Sequence, residues 1–248
     1  MFGKSKILFT LLFSLLFSCT AINLERKIDP PLESYVKIYH TISIKECTKK
    51  FKDSCPKGDF GSMGSGIVME IKKDSNLVIT AGHVCKSDVD EDMISSYSEV
   101  VHVMDYTGTS HQAHIIKASQ DNSKGSVDMC ALWVPTLKHK GVKFSMFRPR
   151  PGQELYYIGS PAGIYHPPVA PILTGIYSGQ IDASNALITI PATGGSSGAA
   201  VMDLNNRVVG ILWAAHSFSS VSIMTNWDSS ALFLHDVLNL YKKNKIPK

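Results

Sequence analysis

From Tyr35 onward the chain is a succession of short apolar runs, rich in β-branched and aromatic residues and separated by glycine, proline, asparagine and aspartate. One set reads Tyr35–Ile44, Gly66–Ile71, Asn76–Thr80, Val100–Asp105, His114–Ala118 and Asp128–Val134. A second reads Glu154–Gly159, Ile172–Gln180, Ala186–Ile190, Ala199–Asp203, Arg207–Ala214 and Val221–Thr225. Runs of this length between turn signals predict antiparallel strands that close into a barrel, hence an all-β fold. The pattern changes only at Trp227–Lys243. There Leu232, Val237, Leu238 and Tyr241 make a helical stripe, with Asp228 or Ser229 placed to cap it.

The first 24 residues follow another rule. Lys4 and Lys6 precede the apolar run Ile7–Phe17, and small residues follow, the layout of an export signal over about residues 1–21. The run is shorter than the ~20 residues that span a bilayer. Leu16-Phe17-Ser18-Cys19 is also a lipobox-like run that would place a lipid on Cys19. Phe17 is bulky for that pattern, and cleavage after Ala21 competes with it. Residues 22–34, with Pro30 and Pro31, read as a leader into one domain spanning 35–243. Composition changes this picture little: 44% of residues are apolar, 19% are charged, and the formal charge is +4. Loss of Lys4 and Lys6 brings the charge to +2, too mild to point to nucleic acid. Five cysteines fit an oxidising compartment. Without Cys19, four remain and allow three pairings. Cys47 and Cys55 flank a charged segment that a bridge could close.

Chemistry concentrates in three stretches. Ala192–Val201 reads A-T-G-G-S-S-G-A-A-V. It suits a sharp loop that aims backbone N–H groups at one point beside a hydroxyl, as acyl transfer requires. Gly194 and Gly195 can adopt positive φ, and Gly198 allows another segment to approach closely. Val78–Cys85 (V-I-T-A-G-H-V-C) ends a β-rich run in His83. Ser126–Val134 (S-V-D-M-C-A-L-W-V) places Asp128 at the mouth of an apolar strand. Each alone has an ordinary structural meaning. In the order His83, Asp128, Ser197 the three segments resemble the trypsin-like (chymotrypsin-fold) serine proteases, closest to their bacterial Deg/HtrA-type branch. G-S-M-G-S-G-I-V-M (Gly61–Met69) and P-G-Q-E-L-Y-Y-I-G-S-P-A-G (Pro151–Gly163) are similar to further segments of that branch.

The resemblance implies two antiparallel six-stranded barrels, about 35–134 and 151–226, joined through Pro135–Phe147 and closed by a helix at about 228–243. It implies a serine endopeptidase acting on polypeptides, with His83 as base, Asp128 orienting it and Ser197 as nucleophile. Gly195 and Ser197 would supply the oxyanion donors. Pro191 and Ala192 would form the base of the substrate pocket, with Leu212, Trp213 and Ala214 on one wall and Ser220 on another. None of these is acidic, so cleavage after small or medium apolar residues is expected. Ser196 stands where the trypsin branch has the aspartate that pairs with a new N-terminus, so activation by that ion pair is not expected. The resemblance also makes the strand ends carrying Cys85 and Cys130 neighbours, either as a bridge or as two buried thiols. No PDZ module is expected after the helix, and neither a metal nor a cofactor. His111 and His114, three apart in a strand, would point to opposite faces. A catalytically silent binding module and a serine esterase are the alternatives, although the α/β-hydrolase chain order places serine first.

Overall fold

In β1 (Tyr35–Cys47) alternate side chains serve two different cores. Val36 and Ile38 join Val68, Val78, Val101 and Leu132 inside a first barrel, whereas Tyr35 joins Ile67, Leu77 and Ile79 on the outer face. That outer face packs on Tyr156, Ile158, Met202 and Ile211 of a second barrel. The two-residue period of a strand thus fills one barrel and glues it to the next. The structure, a computed structural model, describes residues 28–52, 54–70, 76–86, 89–90, 92–119, 127–215 and 220–243. The expected export signal and Cys19 lie outside them.

The first barrel continues with β2 (Gly58–Met69), β3 (Leu77–Thr80), β4 (Ile94–Met104), β5 (Ser110–Ser119) and β6 (Met129–Trp133), closed in the order β1-β2-β3-β6-β5-β4. In the linker, β7 (Lys143–Phe144) pairs in parallel with a later strand, β12 (Arg207–Ala215). The second barrel comprises β8 (Glu154–Ile158), β9 (Ile172–Gln180), β10 (Asn185–Ile188), β11 (Ala200–Asp203), β12 and β13 (Ser222–Thr225). Its order is β11-β8-β9-β10-β13-β12, and β12 returns to β11. Two six-stranded antiparallel barrels are therefore present, as expected.

Several elements depart from the sequence pattern. Strand β2 starts at Gly58 rather than Gly66, because it stays in register with β1 down to the pair Ile44↔Gly58. That outer half is glycine-rich and carries little apolar signal. Cys47–Cys55 closes the hairpin beyond it, and Cys85–Cys130 joins the ends of two other elements. Beyond β13 comes the C-terminal helix (Trp227–Lys242), whose cap is neither Asp228 nor Ser229. Asn226 takes that role, its side-chain oxygen accepting from the Ser229 N–H at 2.8 Å. Leu232 is 69% exposed, while Phe233, Leu234 and Val237 are buried. The apolar stripe is thus rotated by about one residue from the expected one. His111 and His114 do point apart: His111 reaches Asp105, and His114 stacks near Trp133.

The bridge Cys85–Cys130 closes a 45-residue separation, worth about 4 kcal/mol in the chain-entropy account. Replacing both cysteines by serine is expected to lower unfolding free energy on that scale, read as a shifted urea midpoint. An unshifted midpoint would show that the bridge constrains nothing.

Candidate active site

At the end of β3, Ala81 leads into a single helical turn, α1 (Gly82–Cys85), that lifts His83 out of the barrel rim. Asp128 precedes β6 and is buried, its side chain 7% exposed against 34% for His83. The His83 backbone N–H donates to Asp128 Oδ1 at 2.9 Å. His83 Nδ1 lies 2.7 Å from Asp128 Oδ2. A carboxylate only accepts, so Nδ1 carries a proton, and in the neutral imidazole Nε2 has the lone pair. Gly82 makes this approach possible: a Cβ there would lie 1.9 Å from the Ser119 carbonyl oxygen and 2.8 Å from Asp128 Oδ1.

The Ala192–Val201 turn approaches from the second barrel. Its internal bonds run from Ser196 N–H to Thr193 C=O and from Ala199 N–H to Ser196 C=O. Gly195 takes φ 90° and Gly198 φ 88°, but Gly194 is not in the left-handed region. A Cβ on Gly198 would meet Thr80 Oγ1 at 2.0 Å and Ser65 O at 2.1 Å. The loop therefore seats directly on the strand end that leads to His83. The Ser197 hydroxyl lies 3.5 Å from the Trp213 carbonyl, too long to hold it firmly.

Carbonyl orientation sets the electrostatics here. Gly194 C=O accepts from Ala162 N–H at 2.7 Å. Gly195 C=O accepts from the hydroxyls of Ser65 (2.8 Å) and Ser160 (3.1 Å). Ser197 C=O accepts from Ser65 N–H at 2.8 Å. With the carbonyls fixed elsewhere, the N–H groups of Gly195 and Ser197 donate to no acceptor among the described residues. Sequence reasoning missed Ser65, Ser160 and Ala162 as supports. Both serines lie in segments resembling the Deg-type pattern, but nothing in their spacing reveals that they converge. Ala162 has φ 53°, an uncommon conformation for a residue with a Cβ, which directs its N–H at Gly194.

Beside Ser197 a cavity of about 350 Å³ is lined by Ala192, Leu212, Trp213 and Ala214, together with Thr193, Gly194, Ser196 and Ala215. Among the described residues, its lining does not include Pro191 or Ser220. Pro191 instead offers its carbonyl to the Tyr157 hydroxyl (2.7 Å), and Ser220 is exposed. Ser196 is buried, 3.2 Å from the same Tyr157 hydroxyl. Burial raises the Tyr157 pKa above that of an ordinary tyrosine, and the Ser196 contact offsets only part of that rise. No ionisable residue lines the cavity among the described residues.

The segment carrying Ser160 and Ala162 is braced behind the turn by Tyr165, whose hydroxyl donates to the Asp105 carbonyl at 2.7 Å. Asp105 is buried. Burial raises its carboxyl pKa, but hydrogen bonds from Thr107, His139, His111 and Thr109 more than cancel this and hold it well below the usual carboxylate range. His139 Nε2 lies 2.7 Å and His111 Nε2 3.1 Å from Asp105 Oδ2.

The family model of the trypsin-like peptidase domain matches residues 64–211, more than half of the chain. The chain belongs to the trypsin-like peptidases. It is a serine-type endopeptidase. Among solved structures, this peptidase is similar to the active form of the Rv3671c protease from M. tuberculosis, at 19% identity and TM-score 0.60, covering 85% of each chain. The inactive form of that protease gives TM-score 0.57 at 19% identity, over 84% of this chain and 90% of that one. A serine endoprotease from Yersinia pestis gives TM-score 0.62 at 15% identity, over 87% of this chain and 66% of that one. No curated protein matches the chain. Identities this low speak for the fold alone.

The Asp105 network gives the peptidase a defined acid sensitivity. Its folded pKa lies below the unfolded one, so its stabilisation is complete above the ordinary carboxylate range and is lost as pH falls through and below that range. Chemical denaturation over an acidic pH series is expected to show this slope, with a shallower one in Asp105→Asn. Identical slopes would remove Asp105 as the source.

Proposed function

We propose that this endopeptidase works through an acyl-enzyme, with Ser197 as nucleophile, His83 as general base and Asp128 as the group that orients it. The observation that carries the reading is the pairing of two features. His83 Nδ1 is committed to Asp128, which leaves Nε2 to take a proton, and the Gly195 and Ser197 N–H groups are unspent. In this mechanism Nε2 removes the Ser197 proton as Oγ attacks the scissile carbonyl. Gly195 and Ser197 donate to the resulting oxyanion, and His83 then returns the proton to the leaving amine. Asp128 stabilises the imidazolium without itself taking the proton. Water repeats the sequence to release the acyl group. A donor pair of this kind contributes about 3–4 kcal/mol per donor to lowering such barriers, which explains why so many groups restrain the turn's carbonyls.

Specificity follows from the cavity. A lining that among the described residues is uncharged and dominated by Ala192, Leu212, Trp213, Ala214 and Ala215 supports small or medium apolar residues before the scissile bond. An unpaired lysine or arginine head group there would be disfavoured by roughly a hundredfold or more. The disulfides support an exported protein, folded in an oxidising compartment.

Ser197→Ala is expected to abolish both fluorophosphonate labelling and peptide cleavage while the fold is retained. His83→Ala is expected to lose nearly as much, and the double variant scarcely more, because such groups act as a unit. Clearly additive losses, or retained labelling in Ser197→Ala, would sink the assignment. Cleavage profiling on denatured casein checks the pocket; dominant cuts after lysine or arginine would refute the neutral lining as its determinant.

A further inference from the structure

Lys37 lies in β1 directly across from Ser65 of β2, and it is 7% exposed. Its ammonium donates to the Gly163 carbonyl at 2.8 Å and sits 5.0 Å from the centre of the Tyr39 ring. Among the described residues no carboxylate pairs with it. A charge buried without a counter-charge is costly, and an apolar side chain of the same length would pack as well. The use of the charge lies in what the Gly163 carbonyl is joined to. That carbonyl shares a peptide with the Ile164 N–H, which donates to Pro161 C=O at 3.0 Å. Pro161 C=O shares a peptide with the Ala162 N–H, which donates to Gly194 C=O at 2.7 Å. Gly194 C=O shares a peptide with the Gly195 N–H, which has no acceptor among the described residues. Three peptides thus join a buried ammonium to an oxyanion donor, each accepting at its C=O and donating at its N–H. Two successive residues in the left-handed region, Ala162 at φ 53° and Gly163 at φ 76°, make the turn that allows this.

We propose that Lys37 is a positioning residue for the oxyanion site, acting on the Gly195 N–H through the peptides that begin at Gly163, Pro161 and Gly194. The inference rests on the Ser197 reading above and adds to it a residue remote from the reacting atoms. Two physical effects run the same way. In a planar trans peptide the N–H points opposite to the C=O, so fixing the Gly194 carbonyl fixes the direction of the Gly195 N–H. Hydrogen bonds in series also polarise one another. A cation at the first carbonyl draws electron density toward itself through each peptide, which makes the last N–H the stronger donor. The gain is largest once the acceptor is ionised, since such bonds are roughly twice as strong as neutral ones. Lys37 therefore acts on the transition state rather than on substrate binding. The Ser197 N–H lies outside this relay, because the carbonyl of its peptide, Ser196 C=O, accepts from Ala199 N–H at 3.0 Å.

Lys37→Met keeps an apolar stem and removes the charge. Peptide cleavage per fluorophosphonate-titrated site is expected to lose about three- to thirtyfold in kcat, part of the roughly hundred- to thousandfold that a missing donor costs. KM is expected to change by no more than about twofold. Affinity for a peptide boronate, whose Ser197 adduct carries the negative charge, is expected to fall by the same factor as kcat. Lys37→Arg, which restores a cation, is expected to recover most of the lost kcat. Unaltered kcat per titrated site, or a loss confined to KM, would overturn the relay and leave the peptidase reading standing. Should Lys37→Met not fold, amide proton resonances of the wild-type protein decide. On boronate binding those of Gly195, Ala162 and Ile164 are expected to move downfield together. That of Gly163, whose N–H donates to Ser160 C=O outside the relay, is expected to move less. A Gly195 resonance that moves without the other two would overturn the relay. Absence of any Ser197-dependent cleavage by the wild-type protein would overturn both readings.

Discussion

One residue of the first barrel holds the reactive turn of the second in place. Ser65 donates its N–H to the Ser197 carbonyl and its hydroxyl to the Gly195 carbonyl, while its own carbonyl accepts from Thr80. All three contacts are buried between the barrels, where a hydrogen bond left unmade is costly. The turn cannot rotate a carbonyl toward the reaction centre without abandoning one of them. Gly198 is the complementary requirement: any side chain there would occupy the space of Thr80 and Ser65. Neither barrel alone makes the site. It is completed by the interface that Tyr35, Ile67, Tyr156 and Met202 bury between them.

That architecture explains what could be read from the chain and what could not. The strands were legible because their apolar residues recur with a period of two or in fully buried runs, and β9, Ile172–Gln180, lies at its expected bounds. The outer half of β2 was not, since its register is imposed by β1 and a disulfide rather than by its own glycines and serines. His83, Asp128, Ser197 and Gly195 stood out because each sits in a short segment of distinctive composition. Ser160 and Ala162 also lie in a segment that resembles the family, but nothing in its composition marks these two residues as supports. Their role lies in where a hydroxyl and an N–H point after two barrels have packed, which no periodicity encodes. The cap at Asn226 was hidden for a simpler reason: Asp228 and Ser229 are equally good cap residues, and only the start of the helix chooses between them.

The restrained turn depends on how β2 divides its outward groups. At Ser65 the outward N–H goes to the Ser197 carbonyl of the second barrel and the outward C=O to Thr80 of β3, from Ile67 the strand pairs with β3, and among the described residues Gly58–Met63 pairs with β1 alone. The change falls beside Ser197.

Two kinds of support meet behind the turn, and they respond differently to pH. The pocket side is ordered by hydroxyls: Ser196 lies against Tyr157, which donates to Pro191. Burial raises the Tyr157 pKa, so this chain stays neutral across the physiological range. An aspartate at position 196, as in the trypsin branch, would instead tie pocket order to an ionised carboxylate and to a cationic partner. The far side is ionic. Asp105 holds two histidines and two threonines, and its carbonyl anchors Tyr165 at the base of the segment bearing Ser160 and Ala162. Acid that protonates Asp105 weakens its hold on His111, His139, Thr107 and Thr109 and leaves the Ser196–Tyr157 chain intact. Among the described residues, the Ser196 side of the turn is thus ordered by neutral hydroxyls, and the segment behind it is braced next to an ionised carboxylate.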